Sequence, residues 1–210
     1  MEVFAHQIFQ RLRVRRETGP IETVEALCHF AHTRAAFVAQ KKLYGYLKAR
    51  IGTRYPSMFE DDVFVESINI AKRHVFAACL SDIAVHAGAH VMRNGRLEGA
   101  DARRIAQECF AAGLAANRED FQDEAMLASW GIDFSNRLDG IRWENLAVGN
   151  DCFTESPKAL YRWAPIEESL KRYDREIVEN SIRFAWAEVI RDLRKRAVAE
   201  AISADLRQRD

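Results

Sequence analysis

Residues 81–90 read SDIAVHAGAH, and they lie in a longer run, 61–93, in which apolar residues return every three or four positions. That period belongs to a helix rather than a strand. At 100° per residue, Phe64, Ile68, Ala71, Val75, Ala78 and Cys79 share an arc of roughly 100°, the face expected to meet a core. Asp82 falls at the centre of that arc, His86 beside it and His90 near its edge. A carboxylate on a core face is costly unless it is paired or bound to a cation, because an unpaired ion loses its hydration on burial. Something must satisfy Asp82.

The same period governs most of the chain. It predicts a first helix at 2–17 ending in the basic run RLRVRR, and a second at 20–51 with Pro20 in its first turn. The third helix occupies 61–93, opened by Glu60, Asp61 and Asp62 at its positive end and closed by Arg93-Asn94-Gly95. A fourth covers 100–116. Between 117 and 163 the period fades, and Gly131, Gly140, Gly149, Trp130, Trp143 and Trp163 accumulate. This segment reads as short helices and loops laid over the bundle. Ala164-Pro165 then opens a long final helix at 165–207. The expected fold is all-α: a single multi-helix bundle with a long C-terminal helix and an irregular Trp-rich segment packed over it.

The final helix changes sides midway. Ile166, Leu170, Tyr173, Ile177 and Phe184 share one face, whereas Trp186, Val189, Ile190, Leu193 and Ala197 cluster nearly opposite. The first half is expected in the home bundle, and the second half on the 117–163 segment or on a second chain. A homodimer through this helix is one arrangement the pattern admits.

Composition narrows the classes. Thirty-one basic and 31 acidic residues cancel, which argues against a surface built throughout for polyanions. The first ten residues lack the apolar core of a secretory signal, so a cytoplasmic protein is expected. Cys28, Cys79, Cys109 and Cys152 contain no CxxC pair and read as free, buried thiols. No Gly-x-Ser-x-Gly, Gly-x-x-x-x-Gly-Lys-Ser/Thr or Gly-x-Gly-x-x-Gly occurs, so the common nucleophile elbow and nucleotide loops are absent.

Two candidate sites remain. Glu25, His29 and His32 project within about 60° of one another on the second helix. If that helix runs antiparallel to the third, they face Asp82, His86 and His90. Six carboxylates and imidazoles converging in a bundle would suit Fe, Mn or Zn, in oxidation or metal-assisted hydrolysis. No Glu-x-x-His of the di-iron kind lies between Glu22 and His90, so this is a constellation without a motif. The second candidate is a ridge. Arg34, Lys41 and Lys48 recur every seven residues beside Phe30, Phe37 and Tyr44. Such a ridge suits an acidic protein surface, while nucleic acid and anionic lipid are disfavoured by the neutral charge. The leading expectation is therefore a cofactor-free, non-enzymatic interaction protein that binds a protein partner through the ridge and the C-terminal helix; the alternative is the helical-bundle metalloprotein.

Overall fold

The computed structural model describes residues 18–121, 123–146 and 152–209, so the helix expected at 2–17 lies outside the described residues. Among these residues the chain forms eight α-helices and no β-strand: α1 (Val24–Ile51), α2 (Asp62–Gly95), α3 (Gly99–Ala116), α4 (Glu124–Asp139), α5 (Glu155–Trp163), α6 (Glu168–Lys171), α7 (Arg175–Arg196) and α8 (Ala199–Gln208). The all-α bundle is as the periodicity predicts.

Helix α2 runs through the middle and touches α1, α3, α5 and α8. Asp61 caps it, its carboxylate accepting from the amides of Val63 (2.9 Å) and Phe64 (3.3 Å). Residues 79–91 are buried without a break, which corrects the expectation of one core face. A helix that is apolar all round is covered all round. An 18-residue window of α2 has mean hydropathy 1.4, long and apolar enough by composition to cross a membrane, and 89% of it is buried against its neighbours.

Close approach to α2 relies on small residues. A Cβ on Gly88 would lie 2.3 Å from the carbonyl oxygen of Ala102, so α3 crosses here nearly backbone to backbone. Gly88→Ala should therefore destabilise the fold by about 1–3 kcal/mol, the cost of overpacking, although alanine is the better helix former by about 1 kcal/mol. Urea unfolding reads the sign, and a net gain would mean that α3 shifts freely. Gly95 plays a similar part: a Cβ there would meet Ser203 Oγ at 2.1 Å and the Ala199 carbonyl at 2.8 Å on α8. The left-handed residue that ends α2 is consequently not Gly95 but Arg96, at φ 55°.

The C-terminal region departs most from expectation. The helix predicted at 165–207 is three helices. Pro165 sits in a link ahead of α6, and α7 stops at Arg196 without Gly or Pro. The cause is tertiary. Ile21, buried ahead of α1, donates its amide to the Arg196 carbonyl (2.8 Å) and accepts from the Val198 amide (2.9 Å), drawing Ala197 into an extended conformation. The Arg196 guanidinium also donates from Nε to the Gly19 carbonyl (2.8 Å). The same pairing shortens the second predicted helix: Pro20 is outside α1, which Thr23 caps by accepting from the Ala26 amide (3.1 Å). Within the segment expected to be irregular, α4 is a regular 16-residue helix capped by Asp123.

The two apolar stripes of the last region are also the reverse of expectation. Val178, Ile182, Trp186, Val189, Ile190 and Leu193 are buried in the home bundle, while Leu170, Tyr173, Ile177 and Phe184 are exposed.

Candidate functional site

Asp82 is fully buried, and its partners come from two other helices. Its carboxylate accepts from the backbone amides of Glu155 (3.1 Å) and Ser156 (2.8 Å), the first residues of α5, and pairs with Arg137 of α4 (2.9 Å). A side chain of α2 is thus the anionic cap of another helix, placed where peptide dipoles leave amides unsatisfied. Arg137 spreads its remaining donors over the Ser81 hydroxyl (2.6 Å), the Cys152 carbonyl (2.8 Å) and Thr154 Oγ1 (3.3 Å). Ser156 Oγ in turn accepts from Nε1 of Trp186 on α7 (2.9 Å). Burial raises the Asp82 pKa, and Arg137 with the Ser156 and Glu155 groups opposes that rise.

The far end of α5 is held by a cation. Lys171, 2% exposed, donates from Nζ to the carbonyls of Tyr161 (3.2 Å) and Arg162 (3.3 Å) and pairs with Glu168 (2.8 Å). Its inward turn separates α6 from α7. A nine-residue helix has little stability of its own, and α5 is fixed here at both dipole ends by buried charges of the fitting sign.

The six residues of the metal constellation do not gather. Glu25 and His29 are exposed, and half-buried His32 abuts α3, where a Cβ on Gly113 would meet its Cβ at 3.1 Å. Asp82 faces α4 and α5 instead. His86 packs on Phe153 (ring centroids 5.3 Å) and lies 6.3 Å from the His90 ring, whose Nδ1 is 3.3 Å from Asn94 Nδ2. Among the described residues no group of three His, Cys, Asp or Glu side chains is placed to hold a metal ion. His86 stands out within this cluster: it is completely buried, and neither ring nitrogen has a hydrogen-bond partner among the described residues. Burial, with smaller contributions from His90 and Arg194, lowers its pKa to about 3.

The basic ridge is divided between inside and outside. Phe30 is buried beneath the guanidinium groups of Arg34 and Arg196 (5.1 and 5.5 Å from its ring), and Arg34 pairs with Asp192 (2.9 Å). Further along, Lys42 donates to Ser181 (3.2 Å), Tyr46 to Asp174 (2.8 Å), and Arg50 pairs with Asp174 (2.5 Å). These contacts run antiparallel and zip α1 to α7. Phe37 and Tyr44 are half-buried, Lys41 lies 5.3 Å over the Phe37 ring, and Lys41 and Lys48 are exposed.

The sequence reading did not single out Arg137 or Lys171, nor the contact of Ser156 with Trp186, which together join α2, α4, α5 and α7. It also placed the exposed face of α7 in the core. Tyr173, at the entry to α7, and Ile177 and Phe184 within it are 77%, 72% and 76% exposed, and they lie nearly opposite Val178, Ile182 and Trp186. A surface concavity of about 810 Å³ around Trp143 is lined by Arg93, Arg103 and Arg142 against Glu98, Asp139 and Glu144. Its charges balance, and Arg103 is paired with Asp139 (2.7 Å), so it offers no preference for an anion or a cation. Comparison with protein-family models, with curated proteins and with solved structures finds no match to this chain.

Proposed function

We propose that this chain is a non-enzymatic cytoplasmic interaction protein whose helix α7 offers an apolar seam to a helix of a protein partner. The observation that carries the reading is the exposure of Ile177 and Phe184 at heptad spacing on α7, with Tyr173 exposed in the turn before it and Leu170 (58% exposed) on α6. Side chains of this size in one row mark a contact surface rather than scattered surface apolarity, and their spacing is that of anchors in helix-to-helix recognition. The α1 ridge supports the reading indirectly: Arg34, Lys42 and Arg50 fasten α7 to the bundle and hold the seam outward. The four cysteines are buried and none is in a disulfide, a pattern that supports a cytoplasmic setting.

A photo-crosslinking amino acid at position 177 or 184, in cells, should give an adduct with a polypeptide, while the same group at exposed Glu66 gives none. Ile177→Glu should weaken partner binding by about 30-fold, the loss typical of a central anchor, with folding stability within about 0.5 kcal/mol of the parent. Absence of adducts at both positions would end the reading.

A further inference from the structure

We infer that the helix received by α7 is α7 of a second copy, packed antiparallel about a two-fold axis at Asn180; this deepens the docking reading above and rests on it. The row has heptad spacing, with seam positions Ile177, Asn180, Phe184 and Ala187 on α7 and Tyr173 in the turn that leads into it. Reversing this row on itself about Asn180 sets Tyr173 against Ala187 of the second copy, large against small. Ile177 then meets Phe184 of the second copy, and the two Asn180 side chains meet on the axis. In such an isologous interface each seam position meets its two-fold mate.

The charges bordering the seam follow the same symmetry. Glu176 and Arg183 occupy the flank away from α1, and the two-fold brings Glu176 beside Arg183 of the second copy, twice over. Arg183 now rests on Glu179 (3.2 Å) and Asn180 (3.0 Å) of its own helix, while Glu176 has no ion pair among the described residues. The opposite flank is already occupied, since Asp174, Ser181 and Asp192 are held by α1. A partner helix is therefore admitted from one side only. The exposed apolar side chains offer about 500 Å² per chain, so a symmetric pair approaches the roughly 1,000 Å² at which specific interfaces begin. The dimer should accordingly dissociate at micromolar concentration.

Sedimentation velocity on the full chain over about 1–200 µM should show a species of twice 24.0 kDa. Ile177→Glu and Phe184→Glu should each raise the dissociation constant by about 30-fold or more, with an unchanged circular dichroism melt. Under mild oxidation Asn180→Cys should crosslink to itself across the axis, whereas Ile177→Cys should crosslink to Phe184→Cys in a mixture and poorly to itself. A chain that stays monomeric at the highest concentration overturns the proposal. So does a dimer indifferent to both glutamates, or one in which position 177 self-crosslinks and 180 does not. If the photo-adducts from 177 and 184 map to a different protein, the second copy is excluded and the docking reading stands. Adducts at monomer mass that map to residues 1–17 exclude the second copy and the docking reading alike, since the chain then covers its own seam.

Discussion

Asp82→Ala should lower the unfolding free energy by about 3–5 kcal/mol, the range found when one partner of a buried ion pair is removed. The loss has two parts. Arg137, partly buried, is left without its carboxylate, and the Glu155 and Ser156 amides are left without an acceptor at the start of α5. Asp82→Asn retains an oxygen for the Ser156 amide but not the charge, and should cost about 1.5–3 kcal/mol, the worth of hydrogen bonds to a charged group. Combining Asp82→Ala with Arg137→Ala should cost clearly less than the sum of the two single changes, because they break one shared interaction. Urea unfolding monitored through tryptophan fluorescence measures all four proteins. A loss below about 1 kcal/mol for Asp82→Ala, or strict additivity of the pair, would show that the network contributes only packing.

The second large effect is acid lability. The His86 pKa is about 3 in the folded chain against 6.5 for the free side chain, with burial the first cause and His90 and Arg194 following. A base whose folded pKa is depressed binds its proton in the unfolded chain first. Its contribution is intact above pH 6.5 and is lost as pH falls from there towards 3, at about 1.4 kcal/mol per pH unit. Burial lowers the pKa of His90 and of His74 as well, so these act in the same direction. Asp82 acts in the other: its raised pKa lets the folded chain take a proton ahead of the unfolded one, which softens the lowest part of the curve. Unfolding midpoints measured from pH 7.5 to 4 should fall steeply below about pH 6.5. In His86→Leu the fall should be shallower by one proton, and stability at pH 7 should rise by about 1 kcal/mol because two unpartnered buried nitrogens disappear. A variant destabilised at neutral pH and equally acid-labile would show that the imidazole is satisfied and does not control the transition.

The periodic parts of this fold were legible. Helices α1, α2 and α3 cover Val24–Ile51, Asp62–Gly95 and Gly99–Ala116 against the expected 20–51, 61–93 and 100–116, because their apolar stripes are local properties. The need for a partner at Asp82 was legible too, since it follows from one residue's place on a helical wheel. The partners themselves were not. Arg137 and the amides at 155 and 156 lie far along the chain, and nothing in an arginine on α4 or a Ser-Pro dipeptide announces that a carboxylate of α2 will meet them. The break after Arg196 was invisible for a related reason. No residue at 197 or 198 disfavours helix strongly, and the interruption exists because Ile21 pairs with the backbone there. The switch of stripes at 184–186 could be read from sequence, but periodicity cannot say which of two equally apolar faces goes inside. Packing decided it: Trp186, fully buried, finds Ser156 for its indole N–H and Phe153 for its ring (4.7 Å), whereas Tyr173, Ile177 and Phe184 are exposed and find nothing comparable among the described residues.

The two-ended attachment of α5 makes that helix a ruler. Its amides must reach Asp82 while its last carbonyls reach Lys171, and these two charges stand on separate elements whose spacing is set by the rest of the bundle. Adding or removing one residue within α5 shifts its far end by about 1.5 Å and turns it by about 100°. One clamp can then be kept only by releasing the other. The register of α5 is therefore fixed by chain count as firmly as by side-chain identity, and an insertion that a surface loop would absorb has no neutral place between Glu155 and Trp163.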